Sequence, residues 1–388
     1  MQVEKISNTL TRFTLSSPGF TVNVVASIGK DGILLVDTGW TQTAEELSEK
    51  IKELSDDIIK LIIITHPHLD HIGGRNLLGE NATLISHKHT KDELAGKYYA
   101  LDPLPGQELP IILIEDELSL HFNGEDIKII PAPGHTSSDL IIHFVNSGFV
   151  HMGDLLFADT FPVLFSAWGG NADQFLETIK NVSEQLPGDA KLIPGHGRVC
   201  SLDDLREYYQ MAMDTIDLIK QGKADGKTAE ELVNKDILKN WEKWNSDTIS
   251  SEDWITQVYE SLSGGAKTSI SKPLTHTIMD NGIHAAIEQY HALKKSQPDS
   301  YNFGEYELNM LGYQLLWREM NEAAIEIHRL NAQAHPDSAN PYDSLGEAYE
   351  ICGEVELAIE SYEKVLELNP EIPSAIEALK RLKAAEEN

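Results

Sequence analysis

The sequence predicts an α/β layered domain followed by an all-α region, and three patterns lead there. Over the first 200 residues, short β-rich runs alternate with helical stretches and Gly/Asp turns, as strands layered with helices do. One run, IIKLIIITH (58–66), is almost continuously apolar, which fits a strand buried on both faces. From Leu202 onward apolar residues recur at three- and four-residue steps, and farther on whole segments recur 34 residues apart.

In chain order, FTVNVVASIG and GILLVDTG read as two strands joined by a Lys-Asp-Gly turn, and TAEELSEKIKELS has helical spacing. After the buried strand at 58–66, the strand candidates are ATLISH, LSLHF, EDIKIIPAPGH, DLIIHFVNSGFVHMGD and AKLIPGH. LDDLREYYQMAMDTIDLIKQG, TAEELVNKDILKNWEKW and SEDWITQVYESLS are helical, and SGGAKTSISKP (263–273) reads as a linker. Beyond it Leu311-Gly312 recurs as Leu345-Gly346, Ala324 as Ala358 and Pro336 as Pro370. Ala286 and Pro298 form an upstream half-match, and PSAIEALKRLKAAEEN would cap the stack. The expected division is 1–202, an extension with linker at 203–272, and a repeat domain at 273–388.

With 31 Lys+Arg against 62 Asp+Glu, the formal charge is −31. That argues against nucleic acid as a partner. No apolar run approaches the ~20 residues of a membrane span. The start, MQVEKISNTLTRF, lacks the basic and apolar regions of a signal peptide, so as written the chain is expected in the cytoplasm. A trimmed leader would instead place it in the periplasm or outside the cell. Two cysteines, Cys200 and Cys352, are too few for a disulfide framework.

The chemistry concentrates in THPHLDHIGG (65–74), directly behind the buried strand. His66 and His68 sit two apart, so in extended backbone both imidazoles point one way. Asp70 and His71 follow on the turning chain. Imidazole and carboxylate are ligands that Zn²⁺ accepts. His135, Asp154 and His196 each stand at a strand end beside a glycine, and seven such ligands divide between two metals sharing one carboxylate.

These motifs, VDTG (36–39), THPHLDHIGG, PGHT, GD and PGHG, in this order, resemble the metallo-β-lactamase superfamily over residues 1 to about 200. The resemblance implies a four-layer αββα sandwich with a two-metal site at one edge of its sheets. It implies one metal on His66, His68 and His135, a second on Asp70, His71 and His196, and Asp154 bridging. Asp37 would orient ligands without binding metal. The implied activity is that of a metal-dependent hydrolase. Two Zn²⁺ (or other divalent ions) and a bridging hydroxide would attack an ester, lactone, thioester, amide, or sulfate or phosphate ester of a small-molecule substrate, with Asp70 orienting the hydroxide or moving its proton.

An aspartate at 154 is more like glyoxalase II, lactonases, sulfatases and phosphodiesterases than dedicated β-lactamases, which leaves β-lactamase turnover as a side activity. His68 favours zinc over a redox diiron centre. Trp40, Phe157, Phe161 and Trp168, with Phe165 in the same apolar loop, are candidates for the substrate cleft, with core packing an equal reading. His87 and His89 read as surface residues, and His143 and His151 as hydrogen-bonded structural ones. Cys200 reads as a packed thiol, and Trp241, Trp244 and Trp254 as core. The C-terminal period resembles tetratricopeptide repeats, which implies a protein partner or self-association, and a scaffold role is the competing function.

Overall fold

Alternation of apolar side chains along successive strands builds two facing sheets. The computed structural model describes residues 1–17, 20–92, 94, 111–246, 249–262, 268–298, 300–316, 318–370 and 372–386. The first sheet holds β1 (Gln2–Lys5), β2 (Leu10–Ser17), β3 (Phe20–Gly29), β4 (Gly32–Val36), β5 (Ile59–Ile63), β6 (Thr83–His87) and β7 (Ile112–Ile114), in that order. Its first four strands form an antiparallel meander, and β4 to β7 run parallel. The second sheet has the order β12-β11-β10-β9-β8, built from β8 (Leu118–Phe122), β9 (Glu125–Pro131), β10 (Leu140–Phe144), β11 (Phe149–Phe157) and β12 (Lys191–His196). The run at 139–154 is thus a hairpin of two strands, and β11 and β12 are parallel. β1, β2 and β7 are strands that the sequence patterns did not single out.

The sheets share a core. Val25, Leu34, Val36, Ile63 and Ile85 from the first interleave with Ile127, Ile129, Ile142, Phe144 and Ile193 from the second. Because successive side chains point to opposite faces, the outer faces need cover too. The helix Ala44–Leu54 buries Ala44, Leu47 and Ile51 on the crossover between β4 and β5. On the far side, Met152 and Leu155 of β11 pack with Phe175 and Ile179 of the helix Ala172–Gln185 and with Leu205, Tyr208 and Ile216 of the helix Leu202–Ala224. Helix, sheet, sheet and helix make the four layers.

The chain divides into two compact units, the first taking the described residues up to 262 and the second those from 268. The extension at 203–262 belongs to the first. Leu232, Leu238, Trp244, Trp254, Ile255 and Val258 lie in one apolar cluster with Leu155, Phe161 and Phe175. Residues 205 to 258 therefore complete the outer face of the second sheet. Residues 263–267 of the expected linker lie outside the described residues.

The second unit consists of the helices Ser271–Asn281, Ile283–Ser296, Glu305–Leu316, Asn321–Ala334, Asn340–Ile351, Val355–Leu368 and Pro373–Glu386, with Thr268–Ser269 paired to Tyr301–Asn302. The 34-residue period has a packing counterpart. A Cβ on Gly312 would run into the ring of His328, and a Cβ on Gly346 would meet the ring of Tyr362 at 2.9 Å. In each helix pair, one glycine lets the ring 16 positions later lie against the neighbouring helix. No described helix is long and apolar enough to cross a membrane.

Candidate metal centre

Loops after β5 and β9, the interior of β11 and the end of β12 deliver the site, so Asp154 lies within its strand rather than at the strand end that the sequence suggests. β5 ends at Ile63, and Thr65 to His71 turn across the sheet edge into the one-turn helix Leu69–Ile72. β9 leads to His135, β11 carries Asp154, and β12 ends at His196. Two glycines make room for Asp154. Gly153, at φ +51, lies where the β11–β12 register shifts, and such bulges re-aim the next side chain. A Cβ on Gly195 would run into Asp154 Oδ1, so the glycine of the PGH motif holds space for the carboxylate.

The seven expected ligands come together in two groups, His66, His68, His135 and Asp154, and Asp70, His71 and His196. In the first, His68 Nδ1 lies 3.0 Å from His66 Nε2 and 2.9 Å from His135 Nε2, while Asp154 Oδ2 is 3.5 Å from both of those Nε2 atoms. In the second, His196 Nε2 is 3.2 Å and His71 Nε2 is 3.4 Å from Asp70 Oδ2. Asp154 Oδ1 lies 3.2 Å from His71 Nε2 and 3.3 Å from His196 Nε2. One carboxylate thus turns an oxygen to each group.

Four of the five rings, those of His66, His71, His135 and His196, are fixed from behind. His135 Nδ1–H donates to the Val163 carbonyl at 2.7 Å, and His196 Nδ1–H to the Thr21 carbonyl at 2.6 Å. His71 Nδ1–H donates to Asp37 Oδ2 at 2.7 Å. Thr65 spends its N–H on Asp37 Oδ1 and its hydroxyl proton on Asp37 Oδ2, which leaves the Thr65 oxygen to accept from His66 Nδ1–H at 3.0 Å. These bonds select the tautomers that aim the Nε2 lone pairs of all four rings inward.

The donor set fits a divalent cation. Ligands about 2.0–2.1 Å from a tetrahedral ion stand roughly 3.3 Å apart, close to the spacings found here. His68 Nδ1 and the two Nε2 atoms crowd together at 2.9–3.0 Å, three nitrogen donors of the kind zinc accepts. His71 Nε2 and Asp154 Oδ1 are buried and face each other without hydrogen-bond geometry. Burial pulls His135 down to about 3, and burial with the neighbouring His66 and His135 holds His68 well below the usual imidazole range. Both are therefore neutral, as ligands must be. Burial opposes charge on His196 too, but Asp154 and Asp70 outweigh it and push it up to about 9. Burial likewise opposes ionisation of Asp154, and the charges of His196, His71 and His66 overcome it and hold the carboxyl well below its usual range.

The aromatic candidates separate. Trp168 packs on His68 with ring centres 4.5 Å apart, and Phe157 stacks under His196 at 4.9 Å, buried as a support rather than a cleft wall. Phe161 is fully buried against Trp254 and belongs to the core, because the chain after β11 turns inward at that point. Phe165, three residues short of Trp168, reaches His68 at 4.3 Å. Trp40 is half-buried at the start of a 3₁₀ turn, its backbone beside Gly73. His151 is a structural residue whose Nε2–H donates to the Asn23 carbonyl at 3.1 Å while its Nδ1 accepts from Gly153 N–H at 3.2 Å. His143 shows no such bond at Nε2. Cys200 is buried, as a packed thiol is. Thr65, Thr21 and Val163 are working parts that sequence reasoning missed. Of these only Thr65, beside His66, carried a local signal.

A family model of the metallo-β-lactamase superfamily matches residues 18–196. A probable metallo-hydrolase of Methanocaldococcus jannaschii is 31% identical over 201 residues, covering 48% of this chain and 92% of the relative. The chain belongs to the metallo-β-lactamase superfamily. Among other relatives, a type 2 metallo-β-lactamase of Bacillus cereus is 25% identical over 49% of this chain and 69% of its own length. A hydroxyacylglutathione hydrolase of a Synechococcus strain is 29% identical over 39% and 55%. This member of the superfamily is a metallo-hydrolase with a His/Asp metal-binding cluster.

Asp37 tests how superfamily geometry is held. It is fully buried, at φ +62, a conformation that Asn also tolerates. Asp37→Asn keeps the shape but turns an amide N–H₂ toward a donor at Thr65 or His71. Metal affinity should fall about 10- to 100-fold with the fold kept. Competition against a chelator measures it, and an unchanged affinity would refute the role.

Proposed function

We propose that the chain is a binuclear zinc hydrolase of a small molecule with an activated acyl, sulfate-ester or phosphate-ester bond. The observation that supports this best is Asp154, whose two oxygens face separate ligand groups. His66, His68 and His135 would hold one ion, Asp70, His71 and His196 the other, with Asp154 shared. Ions held there supply Lewis acidity and make water acidic enough to attack near neutral pH. Asp70 is 21% exposed and His196 10%, whereas His66, His71 and His135 are sealed, so substrate approaches over Asp70. Asp70 Oδ2 can accept a proton from the attacking water and pass it to the leaving group. Phe165 and Trp168 pack against the His68 ring, at 4.3 and 4.5 Å between ring centres.

Among relatives, the hydroxyacylglutathione hydrolases favour a thioester or ester over a β-lactam, and slower turnover of β-lactams is expected. Metal analysis with a panel of thioesters, lactones, sulfate and phosphate esters and a β-lactam tests the reading. Two zinc per chain and turnover abolished in His68→Ala are expected. A chain that binds no zinc and turns over nothing, yet captures a peptide, would favour a scaffold. The Gly–ring packing at a 34-residue period supports tetratricopeptide-like repeats in the second unit, offering a surface for a protein partner or a second copy. Light scattering of the full chain separates those two.

A further inference from the structure

The segment from Thr160 to Ala172 backs the metal centre, and the helical extension holds it at three points. At its start, Phe161 N–H donates to the Trp244 carbonyl at 2.9 Å and Thr160 Oγ1 to Ser246 Oγ at 3.0 Å. At its end, Ala172 N–H donates to Ser261 Oγ at 3.3 Å. Between them, Leu164 N–H donates at 2.9 Å to Oε1 of Gln257, on the helix Ser251–Ser261. That N–H and the Val163 carbonyl are the two ends of one peptide group. The carbonyl end accepts His135 Nδ1–H at 2.7 Å.

We propose that Gln257 is a positioning residue for the His135 ligand, acting through the Val163–Leu164 peptide. The relay runs from the His135 ring to the Val163 carbonyl, and from the Leu164 amide to the Gln257 side chain. Hydrogen bonds in a chain polarise one another, so an acceptor on the N–H makes the carbonyl at the other end a stronger acceptor. A stronger acceptor at Nδ1–H makes Nε2 a better electron donor and fixes its direction. The same peptide sets where Phe165 stands. Phe165 N–H donates to the His135 carbonyl at 3.1 Å, Gly170 N–H donates to the Phe165 carbonyl at 2.8 Å, and the Phe165 ring meets His68. The extension thus reaches the metal ligands through hydrogen bonds, beyond its part in the core. The inference rests on the metal-centre reading above.

Gln257→Met keeps the length of the side chain and removes the acceptor, Gln257→Glu keeps an acceptor oxygen, and Thr256→Ala alters an exposed neighbour. Zinc affinity by chelator competition and the visible spectrum of the cobalt-loaded full chain are the readouts. Gln257→Met should weaken zinc binding about tenfold and shift the cobalt bands, while Gln257→Glu and Thr256→Ala stay within about twofold of the parent. A folded Gln257→Met chain with parental affinity and spectrum overturns the proposal, as does equal impairment in Met and Glu. If the Met variant does not fold, the Glu variant decides. Its stronger acceptor should move the His135 Nδ1–H proton resonance of the zinc-loaded chain, and an unmoved resonance overturns the proposal. A parent chain that bound neither ion would overturn the metal centre itself, a result distinct from all of these.

Discussion

Asp154→Asn is expected to give a folded chain that keeps at most one zinc and loses turnover at least about a hundredfold. Asparagine is nearly isosteric, so the space under Gly195 and the bulge at Gly153 still accept it. Its amide, however, offers one oxygen where the carboxylate offers two. Whichever way it turns, an N–H₂ faces either His66 and His135 or His71 and His196, whose inward nitrogens carry lone pairs for a cation. One group then has no shared ligand, and both lose the negative charge that balances two divalent ions. Metal content after dialysis, turnover, and far-UV circular dichroism measure the three parts. Two zinc retained with parental turnover would count decisively against a shared carboxylate.

Mild acid should destabilise the second unit through His328. This ring is fully buried, its two nitrogens make no hydrogen bond among the described residues, and burial pulls it down to about 3. Its aromatic neighbour is Tyr313, with ring centres 5.0 Å apart, and the Tyr313 hydroxyl is bonded to Glu347. The unfolded chain binds this proton below about pH 6.5, whereas the folded chain does so only near 3. Stability is therefore fully present above 6.5 and is lost as pH falls toward 3, by about 1.4 kcal/mol per unit. Between pH 7 and pH 5 the loss is about 2 kcal/mol. His328→Phe should remove this component, since the equivalent ring, Tyr362, packs over Gly346 in the next pair. Hydrogen exchange in the helices Glu305–Leu316 and Asn321–Ala334 at both pH values measures it. Equal acid sensitivity in parent and variant would refute it.

The ligands were legible because each carries its own local signature. A His or Asp behind an apolar run and beside a glycine says that a strand has delivered a polar group to a sheet edge. The groups behind the ligands were not legible, since Thr21, Val163 and Gln257 owe their roles to chain segments that meet only in three dimensions. The aromatic run after Asp154 shows the same limit. Periodicity fails in an irregular segment, so Phe161 and Phe165, four apart, could not be told apart as core and site. The layered fold followed from the alternating elements, but its outermost strands, short at β1 and β7, gave too few residues for a pattern to emerge. The place of residues 203–262 was hidden for another reason. An amphipathic helix announces that it has an apolar face, without saying which surface that face covers.

Two of the ring anchors, from His135 and His196, end on main-chain carbonyls. Every amino acid supplies that oxygen, so no single substitution at position 163 or 21 deletes the acceptor. A saturation mutagenesis scan would find both positions permissive toward any side chain the backbone tolerates. Intolerance would move instead to the residues that keep those carbonyls in place, among them glycines such as Gly170, whose Cβ would strike the His135 carbonyl. The inherited vulnerability of this centre therefore lies in the course of its loops more than in the identity of the atoms that touch its ligands.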